Sequence, residues 1–372
     1  MRLTIERSAL LRSLAHVQSV VERRNTIPIL SNVQLVAQDG SLYLTATDLD
    51  LAVVETVPCE VHQAGGTTAP AHMLYDIARK LPDGSQVEFD LDGEDSRLAV
   101  RAGRSRFALS CLPREDFPAM ADDDLPHQFS LPAADLKRLI EKTRFAISTE
   151  ETRYYLNGIY LHAVDEGAGL LRAVATDGHR LSRVEIPLPQ GAAGMPGVIV
   201  PRKTVLEVYK LLEEVEEPVG VSLSESRIQF VLGPLVLTSK LIDGTFPDYQ
   251  RVIPSGNDKH LEVDCKIFAS AVDRVATISS EKSRAVKLAV SADAMVLSAN
   301  SPDQGSGTDE VAVAYDSDAA LEIGFNAKYL LDITQQIDGD SVRFDLHDGA
   351  SPTIIRDASD DAALYVLMPM RV

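Results

Sequence analysis

Apolar residues recur every three or four positions in six short segments of the chain. In the first segment this spacing runs from Leu10 to Val21, and Ser8 is placed to cap the amino-terminal end of a helix. The pattern predicts helices over residues 8–21, 72–80, 135–145, 201–210, 264–275 and 326–336. Between the helices, apolar and polar residues alternate, which predicts strands such as those flanking a turn at Asp39-Gly40.

The predicted elements recur in three copies. Asp48 and Asp177 follow the same Ala-Thr pair 129 residues apart, and the same offset separates Phe117 from Phe246, each followed by proline. A third copy of the strand that precedes Asp48 and Asp177 ends at Asn300. Each copy holds two helices and about eight strands, which predicts an α+β fold with helices and antiparallel sheets in separate layers. We assign one domain to each copy: 1–124, 125–256 and 257–372.

The chain is strongly acidic, with 36 Lys and Arg against 55 Asp and Glu and a formal net charge of −19. This balance excludes a protein that binds nucleic acid over its whole surface, because the phosphates would repel it. The six predicted helices, counted with residues 22–24 that follow the first, nevertheless sum to +7 and leave −26 elsewhere. Either lysine and arginine simply favour exposed helix faces, or a basic layer of helices meets phosphates without reading bases.

Composition and cysteine usage predict a cytoplasmic protein. No apolar segment near Met1 resembles a signal peptide, and no apolar run reaches the ~18 residues of a membrane span. Cys59, Cys111 and Cys265 are far apart and odd in number, so we expect neither a disulfide nor a zinc site. With 45% hydrophobic residues, the chain is expected to be folded and soluble, without metal, cofactor or membrane partner.

Asp177 and His179 are residue types that serve as general bases and metal ligands. No second histidine or carboxylate cluster, nucleophile elbow or phosphate-binding glycine loop accompanies them. Asp48 and Asn300 occupy the equivalent turn in the other repeats, which favours a structural role for this position. A hydrolase that uses Asp177 and His179 is therefore the alternative hypothesis.

The last seven residues, 366–372, are an apolar end to an acidic chain. They fit a last core strand, but Pro369 cannot donate to a sheet ladder, and Met368 and Met370 suit an adaptable binding surface. We favour a groove for an extended or turn-like peptide with apolar anchors. Tyr154 and Tyr155 read as strand residues, one facing inward and one outward, and fit either a core or a nucleic-acid platform.

Several motifs in order give the chain a family resemblance. They occupy residues 27–32, 45–48, 103–107, 153–158, 175–181, 246–249 and 368–371. In these segments the chain resembles the bacterial DNA polymerase sliding clamps, the β subunits of the replicative polymerase holoenzyme, and the resemblance covers all 372 residues. It implies a head-to-tail homodimer of three-domain subunits, closed into a ring around duplex DNA with helices inside and sheets outside.

The resemblance implies a processivity factor rather than an enzyme. Such a clamp slides on duplex DNA without sequence specificity and binds the replicative polymerase, the clamp loader, other polymerases and repair proteins through short peptides. The implied peptide pocket, between the central and C-terminal domains, comprises Leu156, Thr176, Gly178, His179, Arg180, Leu181, Pro247, Arg251, Val252, Asn326, Tyr329, Val366, Leu367, Met368, Pro369, Met370 and Arg371. The implied DNA contacts are Arg24, Tyr154, Tyr155 and Lys203. The implied subunit interface joins Arg104, Arg106, Phe107 and Leu109 to Thr277 and Ile278 of the partner subunit.

Some of these positions invite a second interpretation or depart from the family. Phe107 and Leu109 share one face of a predicted strand, which suits a core equally well. Glu150 stands where family members carry His or Gln, and its charge is expected to weaken phosphate contact nearby. Ser283 stands where an aromatic residue occurs at the pocket rim, which is expected to lower affinity for a Phe-containing ligand.

Overall fold

The computed structural model describes residues 1–91, 97–119, 124–164, 167, 169–279 and 284–371. The chain divides into two compact units, which are described separately. The first comprises Met1–Leu136, Pro189–Ala192 and Lys203–Leu241, and the second comprises Lys137–Leu188, Ala193–Arg202 and Ile242–Val372. No helix within the described ranges is long and apolar enough to span a membrane.

Each repeat contains two α-helices and a set of antiparallel strands, as predicted. The first repeat has helices α1 (Arg7–Gln18) and α2 (Ala71–Lys80) and strands β1 (Arg2–Glu6), β2 (Asn32–Gln38), β3 (Ser41–Thr47), β4 (Leu51–Pro58), β5 (Glu60–Gln63), β6 (Gly65–Pro70), β7 (Gln86–Leu91), β8 (Arg97–Ala102) and β9 (Ser105–Ser110). The second has helices α3 (Ala133–Arg144) and α4 (Arg202–Leu211) and strands β10 (His127–Leu131), β11 (Gly158–Val164), β12 (Leu170–Thr176), β13 (Arg180–Pro187), β14 (Val198–Pro201), β15 (Val219–Leu223), β16 (Arg227–Leu232) and β17 (Leu235–Lys240). The third has helices α5 (Cys265–Ala276) and α6 (Ala327–Thr334) and strands β18 (Lys259–Asp264), β19 (Ala285–Val290), β20 (Ala294–Ser301), β21 (Gly305–Ala312), β22 (Ala314–Tyr315), β23 (Leu321–Asn326), β24 (Ser341–Leu346), β25 (Thr353–Asp357) and β26 (Asp360–Leu367).

The six predicted helices are present, but the predicted cap of the first is wrong. Glu6, not Ser8, is the N-cap of α1, because its Oε2 accepts hydrogen bonds from the backbone nitrogens of Ser8 and Ala9 at 2.9 and 3.1 Å. The Ser8 hydroxyl also donates to this carboxylate. A carboxylate at this end is further stabilised by the positive end of the helix dipole, an advantage that a serine cap lacks.

The first unit contains two sheets. A five-stranded sheet has the order β5-β1-β7-β8-β9, and an eight-stranded sheet has the order β10-β15-β16-β17-β4-β3-β2-β6. Thr238 of β17 pairs with Ala52 of β4, so the larger sheet takes strands from two repeats. Helices α1 and α2 pack against each other, and α1 lies against β3 and β4.

The second unit repeats this plan. A nine-stranded sheet has the order β14-β11-β12-β13-β26-β25-β24-β18-β22, and a four-stranded sheet has the order β21-β20-β19-β23. Leu181 of β13 pairs with Val366 of β26, which again joins two repeats in one sheet. Helices α5 and α6 pack together, and α5 lies against β20 and β21. Because the large sheets cross the repeat boundaries, the compact units do not coincide with the repeats.

The repeated Thr-Asp marker forms the same turn twice. Asp48 Oδ1 accepts from the backbone nitrogens of Asp50 and Leu51, at 2.9 and 2.7 Å. In the second repeat, Asp177 Oδ1 accepts from the two corresponding nitrogens at 2.9 and 3.0 Å. The predicted structural role of this aspartate is therefore confirmed, since its side chain holds the turn between two strands in both repeats.

Candidate functional site

A cluster of buried apolar side chains, here called the apolar floor, lies on one face of the nine-stranded sheet in the second unit. Leu181 and Val366 pair across β13 and β26, and Ile354 pairs with Val366 on the next strand. Leu156 lies in the same cluster and is 4% exposed. Members that the sequence did not single out as site residues are Val174, Ile199, Phe246, Tyr249, Ile354 and Leu364. Phe246 had a signal in its repeated Phe-Pro marker, whereas Ile354 had none, because only long-range pairing brings β25 here.

Exposed residues, two of them apolar, lie beside the apolar floor. Val252 is 44% exposed and Met368 is 38% exposed, and Pro247 and Arg251 are exposed as well. Val252 belongs to a short 3-10 helix whose first residue, Tyr249, packs into the cluster. Burial of large apolar side chains is the normal outcome of folding, so apolar groups left in water beside a buried floor mark a surface for a partner.

The carboxyl-terminal segment combines both interpretations of the sequence. Val366 and Leu367 end strand β26 and are almost completely buried, as a core strand requires. From Met368 onward the chain leaves the ladder: the Met368 nitrogen donates to the His179 carbonyl at 3.0 Å, and the Met370 nitrogen donates to the Gly324 carbonyl at 2.8 Å. Pro369 is partly buried and Arg371 is exposed. Val366 of the last strand therefore contributes to the apolar floor, and the residues from Met368 onward form the edge of the site.

Arg180 supports the site from within instead of facing a ligand. Its side chain is 8% exposed, and its guanidinium donates to Asp177 Oδ2 at 3.1 Å and to Asp332 Oδ2 at 2.5 Å. A third hydrogen bond, to the Phe145 carbonyl, is 2.7 Å long. The guanidinium carbon lies 4.3 Å from the centroid of the Tyr329 ring. These contacts make Arg180 a positioning residue, and its place in the peptide pocket stays a prediction.

The rings of Tyr329 and His179 extend the site toward α6. Their centroids are 6.2 Å apart with planes 23° from parallel, and His179 is exposed. Burial raises the pKa of the Tyr329 hydroxyl, and the nearby charge of Asp177 adds to this shift. Asn326 caps α6, because its Oδ1 accepts from the Lys328 nitrogen at 3.0 Å. Of this group, the His179 and Tyr329 rings have the geometry to contact a partner.

The turn from Thr176 to Arg180 does not support the hydrolase alternative. Both Asp177 oxygens are held by the turn, and the Thr176 hydroxyl donates to the Arg180 carbonyl at 2.7 Å. Gly178 adopts a φ of 87°, which glycine accepts without strain. No group of three or more His, Cys, Asp or Glu side chains in the described part of the chain could hold a metal ion. Asp177 is therefore a structural residue.

The first unit contains an equivalent surface with a different chemistry. At matching register positions, Val174, Leu181, Ile354 and Val366 are replaced by Thr45, Ala52, Gln229 and Thr238. These four residues line a cavity of about 490 Å³ together with Arg114 and Arg227. At these four positions the second unit is therefore the more apolar, although Val54, Phe117 and Val236 also line the cavity of the first unit.

The predicted strand at Tyr154 and Tyr155 is wrong. Both residues lie in the 3-10 helix Glu151–Leu156, where the tyrosine rings meet edge to face with centroids 5.7 Å apart. Tyr154 is 53% exposed, while Tyr155 packs against the apolar cluster. Arg153, beside them, pairs with Glu150 at 2.7 Å, and its hydrogen bond lowers the pKa of that carboxyl group. Glu150 therefore neutralises the nearest cation.

The two predicted cationic DNA contacts differ in their surroundings. Arg24 is exposed, in the segment after α1. Lys203 instead pairs with Asp48 at 2.5 Å and with Glu22 at 3.2 Å. Burial alone would lower the pKa of Lys203, but the hydrogen bonds that it donates to Asp48 and Glu22, together with the charges of these two carboxylates, outweigh burial and raise the pKa. The Lys203 charge is thus already compensated within the first unit.

The predicted interface residues lie at sheet edges. Phe107 is 39% exposed on the edge strand β9, with Arg104 and Arg106 exposed beside it, whereas Leu109 is only 5% exposed. Leu109 therefore packs in the core of its own unit, and its part in the interface stays a prediction. In the second unit Thr277 is exposed, and Ile278 packs over Gly307 of the edge strand β21. Ser283 lies outside the described residues.

Comparison with known proteins agrees with this architecture. Family models described as the N-terminal, central and C-terminal domains of the DNA polymerase III beta subunit match residues 1–121, 130–248 and 250–371. The beta sliding clamps of Caulobacter vibrioides and Escherichia coli K12 are 55% and 43% identical over 373 residues, with both chains fully covered. The solved sliding clamp of Bartonella birtlesii bound to griselimycin has a TM-score of 0.97 at 53% identity, again with full coverage. The chain belongs to the DNA polymerase III beta subunit family, the bacterial beta sliding clamps.

Proposed function

We propose that two copies of this chain close head to tail into a ring that encircles duplex DNA and slides along it. The exposed Phe107 on edge strand β9 and Ile278 beside edge strand β21 support this arrangement. A contact between two different edges of identical subunits either closes into a ring or grows as a filament, and closure removes the free edges. The three proposed domains, 1–124, 125–256 and 257–372, are supported by the three family-model matches.

The proposed contact with DNA is electrostatic and blind to sequence. The observed helices carry +8 in a chain of net charge −19, so positive charge is concentrated on the helical layer. Exposed Arg24 is the clearest candidate for a phosphate contact, and exposed Tyr154 for stacking on an unpaired base. A ring holds DNA by topology, so weak contacts suffice. We expect this role in the cytoplasm and without catalysis by the clamp itself.

The second proposed role is tethering of the replicative polymerase, the clamp loader and repair proteins through short peptides. The observation that carries it is the apolar floor at Leu181 and Val366, edged by exposed Val252 and Met368. An apolar peptide anchor would bury its surface there. Tethering raises the effective concentration of a polymerase at the primer end, which makes rebinding an intramolecular step.

The encirclement experiment loads the protein onto nicked circular DNA and then raises the salt concentration before and after linearisation. A topological ring stays on the circle at high salt and runs off the linear molecule, because screening removes only the phosphate contacts. Equal loss from both forms of DNA would contradict encirclement. Competition between an apolar-anchor peptide and a polymerase subunit tests the tethering role separately, with Met368→Asp as the variant expected to lose both ligands.

A further inference from the structure

One charged side chain at the apolar floor is poorly compensated. The Nε of Arg183 is buried and makes no hydrogen bond within the described structure. Its ion-pair contact, with Glu185 Oε1, is 3.5 Å long, and the same oxygen accepts a 2.6 Å hydrogen bond from Arg172 Nε. Burial lowers the pKa of the Arg183 guanidinium despite the charge of Glu185. The Arg183 side chain as a whole is 20% exposed, so a ligand can reach it. A partly buried guanidinium with this little compensation is stabilised when a ligand supplies negative charge.

Arg183 lies at the end of the apolar floor. On β13 it is two residues beyond Leu181, on the same face, at about 7 Å along the strand. Val174 of β12 and Leu364 of β26, both in the buried cluster, pair directly with Arg183 on either side. A peptide anchored over Leu181 in an extended conformation would therefore place a residue about two positions from its anchor near Arg183.

The neighbouring carboxylates cannot supply the missing charge, because each serves several cations. Asp345 contacts Arg343 at 2.8 Å, His260 at 2.8 Å and Arg356 at 3.6 Å. Arg356 follows Ile354 on β25 and has a side chain that is 25% exposed, which leaves it within reach of a ligand. Arg183 and Arg356 are thus two under-compensated guanidinium groups beside the same apolar floor, on a protein whose overall charge is −19.

We propose that Arg183 and Arg356 form a subsite for an aspartate or glutamate side chain in the flank of a bound peptide. This inference rests on the proposed peptide-binding role and adds a charge requirement to it. A carboxylate fits the fork of a guanidinium and forms charge-assisted hydrogen bonds with it. The subsite would favour partners whose apolar anchors are followed or preceded by an acidic residue.

The test uses fluorescein-labelled nonapeptides with leucine and phenylalanine anchors and either two Asp or two Asn residues, placed in turn on each flank. Binding is followed by fluorescence anisotropy. On one flank the Asp peptide is expected to bind the unmodified protein about fivefold to tenfold more tightly than the Asn peptide, since charge-assisted bonds are about twice as strong as neutral ones. In Arg183→Gln and in Arg356→Gln this preference disappears, while the Asn peptide keeps its affinity. Arg101→Gln, an exposed arginine on β8, removes the same charge and should leave the preference intact.

Three outcomes would overturn the inference. Equal binding of the Asp and Asn peptides to the unmodified protein removes the need for a subsite, and a preference that survives in both arginine variants places it elsewhere. A duplex oligonucleotide that loses affinity in both variants, with no change for the Asp peptide, identifies phosphate as the ligand. Absence of binding by every peptide would instead contradict the proposed peptide role itself. Thermal unfolding of both variants checks that they are folded, and the more exposed Arg356 keeps the test available if Arg183→Gln is unstable.

Discussion

The guanidinium carbon of Arg180 lies over the ring of Tyr329, 4.3 Å from its centroid, and the guanidinium is held there by Asp177 and Asp332. Tyr329 in turn stands beside the exposed His179 ring. A buried arginine that bridges two carboxylates and a ring fixes the relative positions of β13 and α6. The shape of the candidate peptide site therefore depends on a residue that has little surface of its own.

Arg180→Ala is expected to lower the free energy of unfolding by about 3 kcal/mol or more, because it leaves two carboxylates without their shared cation. It should also weaken binding of an apolar-anchor peptide. Urea unfolding and anisotropy measure the two effects. Arg251→Ala is the matched control: this arginine is exposed and pairs only across the surface with Asp248, so its loss should change stability by less than about 0.5 kcal/mol. Equal destabilisation by both variants would contradict the bridging role of Arg180.

Phe107→Ala combined with Ile278→Ala is expected to convert a dimer into monomers, since both residues lie at the sheet edges proposed to meet. Native mass spectrometry should then report about one 40.4 kDa chain instead of two. Leu109→Ala is the informative comparison, because Leu109 is buried and its truncation should cost about 2–5 kcal/mol of stability in the monomer itself. An unchanged native mass in the double variant would rule out the proposed interface.

Two histidines should give opposite pH dependence of stability. Burial alone would lower the pKa of His16, but its 2.8 Å hydrogen bond with Glu55 and the charges of Glu55 and Glu214 together outweigh burial and raise the pKa. The stability contributed by His16 is therefore fully present below its unfolded pKa of about 6.5 and is lost as the pH rises through the folded value. Burial lowers the pKa of His162, so its contribution is present above about 6.5 and is lost as the pH falls.

The opposite pH dependences are measured by urea unfolding of His16→Gln and His162→Gln from about pH 5 to 9. This pH range spans the ordinary histidine pKa. Relative to the unmodified protein, the destabilisation caused by His16→Gln should shrink as the pH rises. That caused by His162→Gln should shrink as the pH falls. Parallel curves for the unmodified protein and both variants would show that neither histidine is linked to folding.

The shared turn predicts unequal effects of substitution at its positive-φ position in the two repeats. Gly178→Ala is expected to destabilise the protein by about 1 kcal/mol, because a φ of 87° strains any residue with a β-carbon. Leu49 holds the corresponding position with a φ of 79°, so Leu49→Gly relieves strain while adding entropy to the unfolded chain. We expect a net change of less than about 0.5 kcal/mol, measured by urea unfolding. A larger loss in Leu49→Gly than in Gly178→Ala would contradict this account.

Local patterns were enough to predict the helices, the three repeats and the turn at Asp177. Helical spacing of apolar residues is a property of neighbouring positions, and the Thr-Asp and Phe-Pro markers recur because each repeat builds the same turn. The local patterns did not predict the N-cap at Glu6 or the 3-10 helix that contains Tyr154. In both, short-range hydrogen bonding competed with a simpler pattern.

Long-range pairing decided the rest. Nothing in the local sequence requires β17 to pair with β4 or β13 to pair with β26, yet these contacts carry each large sheet across a repeat boundary. They bring Ile354 and Val366 to Leu181 and leave Arg183 short of negative charge. In the five-stranded sheet, packing within the first unit buries Leu109 but leaves Phe107, on the same face of β9, exposed. Alternation along a strand shows which residues share a face, but only the tertiary structure decides which face meets water, because that depends on what is packed against it.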